Sequence, residues 1–288
     1  MQKNNKQPET PAVFETGQSL RAFVQAQRKQ GKKIALVPTM GALHNGHLSL
    51  VRQGIEKADC VIASIFVNPA QFGANEDLDA YPRPWESDFE KLEKAGVHSI
   101  FRPSVKEIYP DGFATMISVK HVSEPLEGAH RPGHFDGVAT IVAKLFWLCQ
   151  PDIALFGEKD WQQLQIIRRM VTDLNIPVEI LGAPIIRDEK GLALSSRNAY
   201  LSQKEYGIAC QLNKILFSMA QQIKQGHALP EVRKEGRKAL EKAGFDKIDY
   251  LEILDEITLE AAQNGSLRIF AAVKIGKTRL IDNVPVLY

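Results

Sequence analysis

The chain has 288 residues, 44% hydrophobic and 24% charged, a globular composition that excludes a disordered chain. Lys and Arg number 36 against 34 Asp and Glu, so the net charge of +2 gives no basic excess for nucleic acid. The longest apolar runs are a few residues, too short to span a bilayer. Cys60, Cys149 and Cys210 are scattered and lack CxxC spacing, which argues against a disulfide framework or zinc–thiolate site and for the reducing cytoplasm.

In chain order, residues 1–12 are polar, have no apolar stretch suited to a signal peptide, and predict a flexible leader. Strands are expected at 34–37, stopped by Pro38, and at 60–67, stopped by Asn68-Pro69. Between them, Leu48, Val51, Ile55 and Ala58 recur at helical spacing and predict a helix over 47–57. Further helices are expected at 85–95, 135–148 and 160–173, and strands at 99–101, 152–156 and 177–180. Apolar strands alternating with helices imply an α/β fold, a Rossmann-like parallel sheet with helices on both faces, over residues 13–187. Beyond that point two long amphipathic helices, 203–224 and 230–243, precede strands at 248–254, 267–275 and 278–282. This order predicts a smaller C-terminal α+β domain over 188–288.

The most informative segment is Val37-Pro-Thr-Met-Gly-Ala-Leu-His-Asn-Gly-His-Leu, at the carboxyl end of the first long strand, where open α/β sheets bind ligands. Gly41 suits a tight turn and Gly46 a close backbone approach. His44 and His47, three apart, are expected to face one side of the first helical turn, beside free amides that form an anion site. Two lone histidines are more often a solvated helix cap; their place between strand, glycine and helix turns the reading toward a polyphosphate. Neither GxGxxG nor GxxxxGK[ST] occurs, so a nucleotide would be held by other devices. Two further clusters follow later strands. Gly157-Glu-Lys-Asp160 offers close backbone approach, an ammonium and a cap or ribose acceptor; Leu194-Ser-Ser-Arg-Asn198 offers hydroxyls and a guanidinium for phosphate.

These stretches, with Phe66-Val-Asn-Pro-Ala-Gln-Phe-Gly73 and Gln163, closely resemble the pantothenate synthetase (pantoate–β-alanine ligase) family. That family belongs to the HxGH nucleotidylyltransferase-like superfamily, and the resemblance runs from about Phe14 to the C-terminus. It implies ATP-dependent condensation of pantoate with β-alanine to pantothenate through a pantoyl adenylate, releasing pyrophosphate and AMP, with Mg²⁺ bound through the ATP phosphates. By matching position, Met40, Gly41, Ala42, Leu43, His44, Asn45, Gly46 and His47 would contact ATP. Gly157, Glu158, Lys159, Asp160, Ile186, Leu194, Ser195, Ser196 and Arg197 would complete that site. His47, His44 and Lys159 would be catalytic; Gln71 and Gln163 would hold pantoate, and Gln71 also β-alanine. Leu194 stands where many relatives have Met, and Ile186 where Val is frequent, changes that conserve apolar volume. The resemblance further implies a homodimer. Residues 71–85 are expected to gate the site, and the C-terminal domain to act as a lid hinged near 186–188.

The chemistry agrees. Carboxylate attack on ATP brings two anions together, and the imidazoles, Lys159, Arg197 and the serines supply the donors that this requires. The alternatives are a nucleotidyltransferase of the same fold acting on a phosphate acceptor, an aminoacyl-tRNA synthetase, and a non-catalytic nucleotide-binding regulator. The first would need basic residues where Gln71 and Gln163 stand, the second an anticodon-sized domain, and the third a decayed motif set.

Overall fold

The computed structural model describes residues 10–73, 76–261 and 266–286, so most of the expected leader, residues 1–9, lies outside the described residues. The last residue of that leader belongs instead to a strand. Ala12 opens β1 (Ala12–Phe14), paired through Ala12 with Ser99. Helix α1 (Gly17–Lys29) follows, capped by the Thr16 side chain, which accepts from the Ser19 amide. Then come β2 (Ile34–Thr39), α2 (Asn45–Lys57), β3 (Cys60–Ile65), α3 (Trp85–Ala95), β4 (Ser99–Phe101) and the short helices α4 (Val105–Ile108) and α5 (Glu127–His130). Next are α6 (His134–Cys149), β5 (Ile153–Gly157), α7 (Trp161–Asp173) and β6 (Glu179–Ala183). The chain ends with α8 (Gln203–Lys224), α9 (Leu229–Ala243), β7 (Lys247–Asp255), β8 (Leu267–Ile275) and β9 (Thr278–Val286).

The chain divides into two units. Unit 1 takes residues up to Val119, Arg131–Gly157 and Ile166–Ala183; unit 2 takes Lys120–His130, Glu158–Gln165 and the residues from Pro184 on. Unit 1 contains a six-stranded sheet in the order β1-β4-β3-β2-β5-β6, and every pairing is parallel. Its central strands are largely apolar because both faces are covered; Ile34, Leu36, Ile62 and Leu155 are fully buried. Each such side chain contributes roughly 1.5–3 kcal/mol by burial. The strand order reverses beside β2, which lies between β3 and β5. That switch point directs attention to the loops leaving β2 and β5.

Pairing, rather than apolar composition, sets the strand ends. The ladder between β2 and β3 ends at Thr39–Ile65, so the strand expected to reach residue 67 stops two residues earlier. The strand expected at 177–180 lies at Glu179–Ala183, because β6 takes its register from β5 and Pro177 has no N–H to give. Unit 2 contains the antiparallel sheet β7-β8-β9, with Leu212, Leu216, Leu240, Ile269 and Val273 in its core. Ser202 and Glu205 form a reciprocal cap at the start of α8. Among the described residues, no helix is long and apolar enough to cross a membrane.

Candidate active site

In unit 1 the connection from β2 to α2 turns through left-handed backbone at Gly41 (φ +84°) and Ala42 (φ +50°). A Cβ at Gly41 would stand 3.0 Å from the Asp88 carboxylate, which explains the glycine. Asp88, 1% exposed on α3, holds the turn: its two oxygens accept the backbone N–H groups of Ala42 at 2.7 Å and Leu43 at 2.8 Å. Lys91, 4.0 Å from Asp88, donates to the Leu43 carbonyl at 2.8 Å. A buried anion satisfied by two peptide donors and an adjacent cation is a stable arrangement, and charge-assisted bonds of this kind are the strong ones.

The histidines differ in one respect from the expected pair on a first helical turn. His44 is the N-cap of α2, and the two rings lie against each other, centroids 4.1 Å apart and planes 32° apart. The Gly46 amide donates to His44 Nδ1 at 3.1 Å, and the His44 amide donates to His47 Nδ1 at 3.3 Å. A backbone N–H can only donate, so both Nδ1 atoms are acceptors and both neutral rings carry their proton on Nε2. The cap thus places two rings protonated on Nε2 at the positive end of a helix. A Cβ on Gly46 would come within 2.8 Å of the His44 ring, so the glycine of HxGH makes room for the cap.

Unit 1 also brings together two motifs that are 31 positions apart in sequence. Gln71 ends a 3₁₀ turn, Pro69–Gln71, after β3, and its Nε2 lies 3.2 Å from Met40 Sδ. Gly157 ends β5, where a Cβ would meet nothing within 4 Å.

In unit 2, Glu158–Asp160 forms a 3₁₀ turn leading into α7, and Lys159 Nζ lies 3.9 Å from Asp160. Asn283 of β9 donates its amide to the carbonyls of both Glu158 and Lys159, at 2.9 and 3.0 Å. Arg268, stacked 3.4 Å over the Trp161 ring, fixes Asn283 by donating to its Oδ1 at 2.7 Å. Gln163 lies partly exposed early in α7, whereas its neighbour Gln162 is buried and tied to the backbone of Val122, Pro125 and Glu127. The segment leaving Ile186 doubles back: the Leu194 amide donates to the Ile186 carbonyl at 2.9 Å. Ser195 then caps a 3₁₀ turn, Ser196–Tyr200, accepting the Arg197 amide at 3.3 Å. Asp282 binds Arg187 in this segment through two bonds of 2.7 and 2.8 Å. Two successive residues of β9, Asp282 and Asn283, therefore hold Arg187 and the Glu158–Asp160 turn to one strand.

A family profile described as pantoate-beta-alanine ligase matches residues 12–285. The chain belongs to the pantoate–β-alanine ligase family. It is 53% identical over 270 residues to the pantothenate synthetase of Paramagnetospirillum magneticum, covering 93% of this chain and 95% of that protein. The Caulobacter vibrioides pantothenate synthetase is 50% identical over 282 residues, covering 96% and 99%. A crystal structure of pantothenate synthetase from Thermus thermophilus matches with a TM-score of 0.90 at 45% identity, covering 96% of this chain and 99% of that one. The Francisella tularensis pantoate-beta-alanine ligase, solved in complex with beta-gamma ATP and beta-alanine, matches at 0.81 and 36%, covering 96% and 98%. The family, the fold class and the ligase assignment expected from the sequence all hold.

For a ligase of this family, the residues that sequence reasoning missed are those that hold the motifs. Asp88, Asp282 and Asn283 carry no motif and lie far along the chain from what they bind. Asp88 had a faint signal, an acid in the first turn of a helix otherwise read by its apolar stripe. Asp282 and Asn283 had one too: two adjacent polar residues within the otherwise apolar stretch from Leu280 to Val286, each at most 3% exposed.

Proposed function

We propose that this pantothenate-forming ligase works in two steps. The carboxylate of pantoate attacks the α-phosphorus of ATP, giving pantoyl adenylate and pyrophosphate. The β-alanine amine then attacks the acyl carbon, the acyl C–O bond breaks, and AMP leaves with one of pantoate's carboxylate oxygens. The observation that carries this reading is the paired-histidine cap of α2, whose Nδ1 atoms accept backbone N–H groups, so that both rings carry their proton on Nε2 at a helix N-terminus.

In this reading residues 40–47 bind ATP together with Gly157, Glu158, Lys159, Asp160, Ile186, Leu194, Ser195, Ser196 and Arg197. His44, His47 and Lys159 stabilise charge on the α-phosphoryl and the departing pyrophosphate. His47 acts as a donor to developing charge, since its backbone-occupied Nδ1 leaves Nε2–H as the catalytic end. Gln71 and Gln163 hold pantoate, and Gln71 also serves β-alanine; neutral amides bind the hydroxyls without repelling the carboxylate. The turn bearing Lys159 also carries Glu158 and Asp160, hard oxygen donors that suit Mg²⁺ arriving on the triphosphate. That ion would neutralise phosphate charge. Residues 71–85, of which 74 and 75 lie outside the described residues, would gate the adenylate from water. Residues 13–187 would bind nucleotide and pantoate, with 188–288 a lid hinged near 186–188. A cytoplasmic location accords with three unpaired, buried cysteines, and a homodimer with the family resemblance.

Rapid mixing tests the order of events. ATP with pantoate alone should release about one pyrophosphate per site and no AMP; β-alanine should then release AMP and pantothenate. Pyrophosphate release indifferent to pantoate would overturn the reading. Release that depends instead on a phosphate-bearing acceptor would favour a nucleotidyltransferase.

A further inference from the structure

The hydrogen bonds around Gln71 determine which end of its amide is offered to a ligand. The Gly137 carbonyl can only accept, so the Asn68 atom 3.1 Å from it is Nδ2. That same Nδ2 lies 3.0 Å from the Gln71 amide, whose facing atom must then be Oε1. Asn68 Oδ1, at the other end, accepts the Ala70 amide at 3.3 Å and the Tyr109 hydroxyl at 2.7 Å. Reversing Asn68 would set its NH₂ against the Ala70 N–H and its carbonyl against that of Gly137. Asn68 is 1% exposed, so water does not rescue the reversed state. With Oε1 taken, Gln71 Nε2 is left against Met40 Sδ, a weak acceptor, with a second N–H to give.

Two features of α6 lock the turn itself. A Cβ on Gly137 would fall 2.3 Å from the Ala70 carbonyl oxygen and 2.6 Å from the Gln71 nitrogen, so only glycine admits this approach. His134 Nδ1 lies 2.8 Å from the Gln71 carbonyl and therefore carries the proton; its Nε2 accepts from Arg131, which is held by two bonds to Glu76. Gly137 and His134 hold the turn's backbone, while Tyr109 bears on Asn68, which orients the Gln71 side chain and also caps the turn through the Ala70 amide. Burial pushes the Tyr109 hydroxyl up to about 12, so it stays a donor at neutral pH.

We propose that Tyr109 is a positioning residue: acting through Asn68, it presets Gln71 as a hydrogen-bond donor aimed at an acceptor oxygen of pantoate. This rests on the reading that Gln71 holds pantoate. Tyr109→Phe deletes the hydroxyl and keeps the ring that packs on Phe66 and Phe113.

The test is steady-state kinetics of Tyr109→Phe, Gln71→Ala and Gln71→Glu beside the parent enzyme, with thermal melts. Losing one neutral hydrogen bond predicts a pantoate KM raised about three- to tenfold in Tyr109→Phe, with kcat and the ATP KM within about twofold. Gln71→Glu, an acceptor of the same shape, should raise the pantoate KM by more than Gln71→Ala. An unchanged pantoate KM in Tyr109→Phe, or equal rises for ATP and pantoate with a lowered Tm, overturns the positioning role. A normal pantoate KM in Gln71→Glu overturns the donor polarity. If Gln71→Ala also leaves that KM unchanged, the assignment of Gln71 to pantoate has failed, and the positioning role fails with it.

Discussion

The turn after β2 in unit 1 and the turn after β5 in unit 2 are clamped by the same device with opposite polarity. In unit 1 a buried carboxylate, Asp88, accepts two consecutive backbone N–H groups. In unit 2 a buried amide, Asn283, donates to two consecutive carbonyls. Each clamp comes from a distant element and matches the peptide groups that its turn leaves unpaired. The difference lies in charge. Bonds to an ionised group contribute about 1.5–3 kcal/mol each and neutral ones about 0.5–1.5, so unit 1 should depend on its clamp for stability as well as chemistry, unit 2 mainly for chemistry.

Asp88→Ala should therefore have the largest effect. Two buried amides lose their acceptor, costing about 3–5 kcal/mol. Calorimetry should show Tm lowered by about 6–15 °C, and pyrophosphate release should fall more than about 10²-fold. A near-normal melt would mean that the strained backbone at Gly41 and Ala42 holds itself. His44→Ala, His47→Ala and Lys159→Ala should each slow pyrophosphate release by about 10²-fold or more, with only about 1 kcal/mol lost where a cap is removed. A histidine variant with an unimpaired rate would reduce that residue to a cap. Asn283→Ala should be milder: about tenfold in rate and about 1–2 kcal/mol in stability. If it melts as far below the parent as Asp88→Ala, the contrast between the clamps is broken. Substituting Cys60, Cys149 or Cys210 with Ala should leave kcat unchanged within about twofold, because burial holds the Cys60 and Cys149 thiols well above their ordinary range.

The sheet was legible where apolar runs met clear stops, as at β8, whose expected and observed limits coincide, whereas at β2 the ladder with β3 runs through Pro38, the expected stop, to Thr39. The motif residues were legible because their chemistry is concentrated in a few consecutive positions. Helix α1 went unread because its buried stripe is little more than Leu20 and Val24 in a polar segment. The clamps went unread for a different reason. A lone Asp, Asn or Tyr means nothing until the fold brings it to a partner 46, 125 or 41 positions away. The His44 cap lies between these cases, since the spacing identified the pair and only the coordinates identified which nitrogens the backbone occupies.

The most direct measurement follows an oxygen atom. Pantoate labelled with oxygen-18 in its carboxylate, turned over with ATP and β-alanine, should deliver one labelled oxygen to the phosphate of AMP. Label found in inorganic phosphate beside ADP, or AMP free of label, would contradict an acyl adenylate.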